Sequence, residues 1–97
     1  MGIKTEYKQQ LLAIVYKHVP ECTVYLFGSR ARGDDQHGSD IDIAIDIGHP
    51  ISYQTLLAIG IDIDETTIPM KVDVVDLHTA SDELKKDILK EGIVWKN

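Results

Sequence analysis

The order of polar and apolar positions divides this chain into alternating helical and extended segments. Tyr7, Leu11, Leu12, Ile14, Val15 and Val19 recur at helical spacing with Lys and Gln between them, which predicts an amphipathic helix over residues 5–19 that stops at Pro20. Thr23-Val24-Tyr25-Leu26-Phe27 is β-branched and aromatic and lies between Pro20 and Gly28, so it reads as a buried strand that delivers the chain to Gly28-Ser29. Residues 33–39, Gly-Asp-Asp-Gln-His-Gly-Ser, are dense in turn formers and read as a loop. A second strand follows, because Asp40 to Ile47 alternates strictly. Ile41, Ile43, Ile45 and Ile47 share one face, and Asp40, Asp42, Ala44 and Asp46 share the other. Gly48-His49-Pro50 ends it.

Residues 52–67 carry two patterns at once. Ile61-Asp62-Ile63-Asp64 imitates the strand before it, whereas Leu56, Ile59 or Gly60, and Ile63, with Leu57, Ile61, Asp64 and Ile68, fit a helix with Ser52 at its N-cap. Helix is the favoured reading and strand the alternative. After Ile68-Pro69, Lys71 to Leu77 reads as a third strand, with Val72, Val74 and Asp76 opposite Asp73, Val75 and Leu77. Ser81 caps a last helix with Asp82 and Glu83 in its first turn, Leu84, Ile88 and Leu89 on its face and Gly92 just beyond its end. Ile93-Val94-Trp95 adds a short edge strand.

Composition narrows the class. Ninety-seven residues, 43% of them hydrophobic and 27% charged, suffice for one domain with a core and exclude a disordered chain. The longest apolar run falls far short of the roughly 18 residues that a membrane span needs. The N-terminus has no basic stretch leading into an apolar one, so no secretory signal is read, and the single Cys22 cannot form an internal disulfide. The expected location is the cytoplasm.

The net charge of −6 is unevenly spread. Residues 1–33 hold five basic and two acidic side chains, residues 34–76 one basic and ten acidic, and residues 77–97 four of each. Such a chain, without an aromatic stacking surface, is not expected to bind nucleic acid stably, because that affinity comes largely from Lys and Arg on phosphates. Acid gathered in one segment can instead hold divalent cations that receive phosphates.

Gly28-Ser29, ten intervening residues and Asp40-Ile41-Asp42 form the sharpest feature. Asp40 and Asp42 project from one face of a strand, where two carboxylates repel unless a cation neutralises them. Mg²⁺ fits, since it takes one or two carboxylates together with substrate phosphates. Asp73, between Val72 and Val74, is the third carboxylate expected on a neighbouring strand, whereas Asp76 lies on the other face. Gly28 has no side chain to block a phosphate, and Ser29-Arg30-Ala31-Arg32 can open a helical turn whose N–H groups and hydroxyl meet anions. Arg30 and Arg32 add guanidinium donors, of which only one is expected to point inward. Carboxylates on one wall and a phosphate cradle on the other describe a site for a nucleoside triphosphate, in which two metal ions support in-line displacement at phosphorus.

The other polar residues read more plainly. Asp62 and Asp64 lack a preceding Gly-Ser turn and read as solvated surface, and Asp46 reads as peripheral. His18, His37, His49 and His78 show no zinc-ligand spacing, although His37 lies in the loop beside the proposed site. Cys22 has no identifiable catalytic partner, and Trp95 reads as packing at a core edge.

Phe27-Gly28-Ser29-Arg30-Ala31-Arg32-Gly33, Ser39-Asp40-Ile41-Asp42-Ile43-Ala44-Ile45 and Lys71-Val72-Asp73-Val74-Val75-Asp76-Leu77 together resemble the minimal nucleotidyltransferases of the DNA polymerase beta-like superfamily. The resemblance covers nearly the whole chain. It implies a single nucleotidyltransferase domain over residues 1–97, of mixed α/β class, with helices packed on one face of a small mixed sheet. It further implies that Gly28 and Ser29 hold the triphosphate, that Asp40 and Asp42 bind both metals, and that Asp73 ligates the catalytic metal and helps deprotonate the attacking hydroxyl. Many such domains are antitoxin partners of HEPN-domain ribonuclease toxins. The expectation is therefore an Mg²⁺-dependent transfer of AMP from ATP to a hydroxyl, a tyrosine of a HEPN partner, with a second copy of the chain admitted as a further partner. Two other classes fit the residues: a module that neutralises its partner by binding alone, and a transferase for a small-molecule hydroxyl such as that of an antibiotic.

Overall fold

The computed structural model describes residues 4–33 and 40–96. Helix α1 (Thr5–His18) leads into β1 (Thr23–Phe27), followed by a single helical turn, α2 (Ser29–Arg32). Then come β2 (Ile41–Asp46), α3 (Tyr53–Asp64), β3 (Val72–Asp76), a 3₁₀ turn at Leu77–Thr79, α4 (Asp82–Glu91) and β4 (Ile93–Lys96). The loop expected over 33–39 lies, apart from Gly33, outside the described residues, and so does His37.

The strands form one sheet in the order β3-β2-β1-β4. β1 is antiparallel to β2 and to β4, while β2 and β3 are parallel, with α3 supplying the crossover that parallel pairing demands. The mixed sheet is as expected.

The ambiguous stretch after Ser52 is helix. Ser52 Oγ accepts a hydrogen bond from the Thr55 N–H at 3.2 Å, capping the first turn. Burial explains why the helical period prevails: Ile59 and Ile63, four apart, are buried, whereas Ile61, which a strand would place beside Ile63, is 52% exposed.

Each face of the sheet has its own cluster. Leu11 and Val15 of α1 and Ile59 and Ile63 of α3 pack with Val24, Leu26, Ile41, Ile43 and Ile45, each such side chain contributing about 1.5–3 kcal/mol of burial. On the opposite face Ile88 of α4 is buried with Ala44 and Leu77, against Tyr25, Phe27, Val75 and Leu84. The helices are therefore not confined to one face, a correction with a simple cause. Ala44, Val75 and Phe27 leave apolar surface beneath Asp42, and Ile88 covers it. Leu89, expected on that helix face, is 62% exposed, because it lies about 100° around the helix from Ile88.

Side chains join these elements. His18 Nε2 lies 2.7 Å from Asp62 Oδ2, and Lys17 Nζ lies 3.5 Å from the same oxygen, so the end of α1 is tied to α3. His18 first and Lys17 after it hold the Asp62 carboxyl below its ordinary value. Trp95 packs against the larger cluster, with Lys8 Nζ 5.7 Å from its ring centroid. Gly92 passes the chain from α4 into β4 with its N–H on Ile88 O at 2.8 Å, and a Cβ there would run into that carbonyl. Among the described residues no helix is long and apolar enough to cross a membrane.

Candidate active site

Strand direction assembles the site. β1 runs antiparallel to β2, so its last residue meets the start of β2, and parallel pairing brings the start of β3 to the same edge. Phe27, Asp42 and Asp73 consequently form one row across three strands. With a side-chain period of two, Asp42 and Asp73 project from the same face. Gly28 follows Phe27 at the head of that row.

Gly28 has φ 77° and ψ −157°, a conformation open to glycine and strained for other residues. Space excludes a side chain as well. A Cβ on Gly28 would run into Asp42 Oδ2, with Asp42 Cγ at 3.3 Å. The carboxyl of Asp42 thus lies directly against the backbone of the Gly-Ser turn. Gly28 O then accepts from the Ala31 and Arg32 N–H groups at 3.1 and 3.2 Å, which closes α2 as one turn over Ser29.

Burial, first of all, pushes the Asp42 carboxyl above its ordinary value. The charges of Asp73 and Asp40 push it further, as does a hydrogen bond to Asp73, while Lys71 opposes them. Asp42 and Asp73 are thus a close carboxyl pair. Asp40 stands just before β2, exposed, acting on Asp42 through space. Among the described residues, no three carboxylate, imidazole or thiol groups converge tightly enough to hold a metal ion as they stand. Oxygen donors that repel one another at the head of two strands nonetheless suit a hard divalent cation, whose charge removes the repulsion.

The two arginines part ways, as their spacing requires. Arg30 Nε donates to Asp40 O at 3.3 Å, on the carboxylate side of the turn. Arg32 Nη1 lies 3.9 Å from Glu91 Oε2, toward the end of α4. Lys71 Nζ stands 3.6 Å from Asp73 Oδ1 at the open edge of the sheet.

Two further aspartates serve the frame. Asp76 is buried at 3% exposure on the opposite face, where Oδ2 accepts from the Ile51 N–H at 2.9 Å and Oδ1 from the His78 N–H at 3.0 Å. Its place on the face opposite Asp73 gives it no part in the carboxylate set, but an Asp two residues before the N–H that it accepts is the signature of an Asx turn. Asp46 accepts from the Gly48 N–H at 2.8 Å and lies 2.8 Å from His78 Nε2, apart from the Asp42–Asp73 pair as expected.

The Polymerase beta, Nucleotidyltransferase family matches residues 9–96, a span that contains the Gly-Ser turn and Asp40, Asp42 and Asp73. The chain belongs to this family. This nucleotidyltransferase is 31% identical over 94 residues to the "Probable protein adenylyltransferase MntA" of Haemophilus influenzae, an alignment that covers 97% of this chain and 82% of the relative. A solved toxin-antitoxin complex with AMP-PNP is similar at a TM-score of 0.78 and 25% identity, over 93% of this chain and 73% of the other. A tri-AMPylated Shewanella oneidensis HEPN toxin in complex with MNT antitoxin is similar at a TM-score of 0.75, over 98% of this chain and 74% of the other; at 22% identity that likeness is one of fold.

Proposed function

We propose that this nucleotidyltransferase transfers AMP from ATP to a hydroxyl of a partner protein, a tyrosine of a HEPN toxin, and thereby acts as its antitoxin. The observation that carries this reading is the Asp42–Asp73 carboxyl pair set against the side-chain-less backbone of Gly28. The adenylyltransferase name of the 31% identical relative supports the choice of AMP and of a protein acceptor. The AMP-PNP in the similar toxin-antitoxin complex supports ATP as the donor.

In this mechanism Asp40, Asp42 and Asp73 are the residues that would hold Mg²⁺, which when bound would neutralise triphosphate charge and polarise the α-phosphate. Gly28 admits the phosphates against the backbone, the Ser29 hydroxyl donates to a phosphate oxygen, and Arg30 adds positive charge from the Asp40 side. The acceptor oxygen attacks the α-phosphorus in line, and the bond from that phosphorus to the oxygen bridging toward the β-phosphate breaks, releasing pyrophosphate. The hydroxyl proton passes to Asp73. Because Asp73 belongs to β3, which edges the sheet, a macromolecular hydroxyl reaches it from the side.

The test is transfer of label from α-labelled ATP to a co-expressed HEPN protein. Labelling of its tyrosine that needs Mg²⁺ and is lost with Asp40→Asn/Asp42→Asn is the expected result. Equal labelling by that double variant overturns the mechanism, and neutralisation of the toxin by it without label transfer favours action by binding alone.

A further inference from the structure

Helix α3 presents an uncharged apolar stripe that the described part of the chain leaves open. From Tyr53 to Ile61 the helix contains no charged residue, and Tyr53, Leu57 and Ile61, four apart, are 74%, 49% and 52% exposed. Gly60 stands two turns beyond Tyr53 on nearly the same line of the helix, about 60° around from Leu57, and a Cβ built on it meets nothing within 4 Å. A mid-helical glycine is unfavourable relative to alanine, and no contact among the described residues requires it. The missing side chain leaves the helix backbone open to close approach by another surface.

The charges of α3 indicate which partner. Its first turn carries no acidic residue and its last turn no basic one, while Asp64 and Glu65 stand exposed at its C-terminal end. This acid adds to the negative end of the helix dipole instead of balancing it. An antiparallel copy of the same helix corrects both ends, since each acidic end then meets the partially positive start of the other. We propose that this surface joins two copies of the chain about a two-fold axis between Leu57 and Gly60, with α3 packed antiparallel on its twin. In that register Leu57 of one copy seats on Gly60 of the other and Tyr53 faces Asp64, so that the phenol donates to the carboxylate; the contact is self-complementary, as two-fold symmetry requires. An uncharged centre suits two chains that each carry a net charge of −6. The face lies on the side of the sheet away from Asp42 and Asp73, so the inference does not rest on the reaction proposed above.

Sedimentation of the purified chain over a range of concentrations tests it. The wild type is expected to pass from monomer to dimer in the micromolar range, and Leu57→Glu to weaken association at least tenfold. Gly60→Ala is the sharper variant, because its methyl group has room in the monomer and favours helix. It should weaken association while the melting temperature of the dilute monomer stays the same or rises. A wild type that remains monomeric at about 1 mM overturns the proposal, as does association that neither variant changes. Protection of α3 from hydrogen exchange only in the presence of a different protein also overturns it and assigns the stripe to that protein.

Discussion

Asp42 Oδ2 occupies the space into which a Cβ on Gly28 would project, so the tightest point of the site is a carboxylate set against a glycine backbone. Gly28→Ala forces either the carboxyl or the turn to move, and it also places alanine at φ 77°. The cost should be about 2–3 kcal/mol of folding stability, from strain and overpacking together. Chemical denaturation measures that cost, and a nucleotide-binding titration should show weakened ATP binding in the protein that remains folded.

Asp42→Asn should separate stability from activity. Burial, then Asp73 and Asp40, raise the carboxyl above its ordinary value of 3.8, so its ionised form is disfavoured in the fold. The penalty is absent while the group is protonated and grows as pH rises through the raised native value. At neutral pH and without divalent cations the variant should therefore melt no lower than the wild type. Transfer of AMP should fall by about 10²–10³-fold, and Mg²⁺ should raise the melting temperature of the wild type more than that of the variant.

The pair formed by Asp46 and His78 should behave in the opposite sense. The Gly48 N–H, and His78 after it, hold the Asp46 carboxyl below 3.8. Its contribution is fully present above the ordinary carboxylate value and shrinks as pH falls through the lowered native one. Asp46→Asn should cost about 1 kcal/mol at pH 7 and nothing in strong acid, as denaturation curves across pH will show.

Asp76→Ala tests which aspartate of β3 serves the fold. It strands the buried Ile51 N–H and uncaps the 3₁₀ turn at His78. A loss of about 2–4 kcal/mol is expected, with activity per folded molecule unchanged. Asp73→Asn should do the reverse, leaving stability intact and removing transfer.

Much of this was legible in the order of residues. The strand at Thr23–Phe27 begins and ends where predicted, because Pro20 and Gly28 punctuate a β-branched and aromatic run. Period two separated Asp73 from Asp76 correctly, since alternation along a strand needs no knowledge of its neighbours. Less legible was anything set by contact at long sequence distance. Asp62 looked solvated, yet His18, 44 residues away, binds it. Leu89 looked like a core residue, yet only one side of α4 meets the sheet. The side on which that helix packs depends on where Ala44, Leu77 and Phe27 leave apolar surface, and no local pattern encodes that.

The sequence by itself determined the element types outside residues 52–67, the faces of each strand and the residue kinds that a metal and a triphosphate need, because those follow from local period and side-chain chemistry. Tertiary structure alone decided that Gly28, Asp42 and Asp73 meet. An antiparallel and a parallel pairing bring one strand end and two strand beginnings to the same edge, and strand order and register arise only when the apolar faces are buried together.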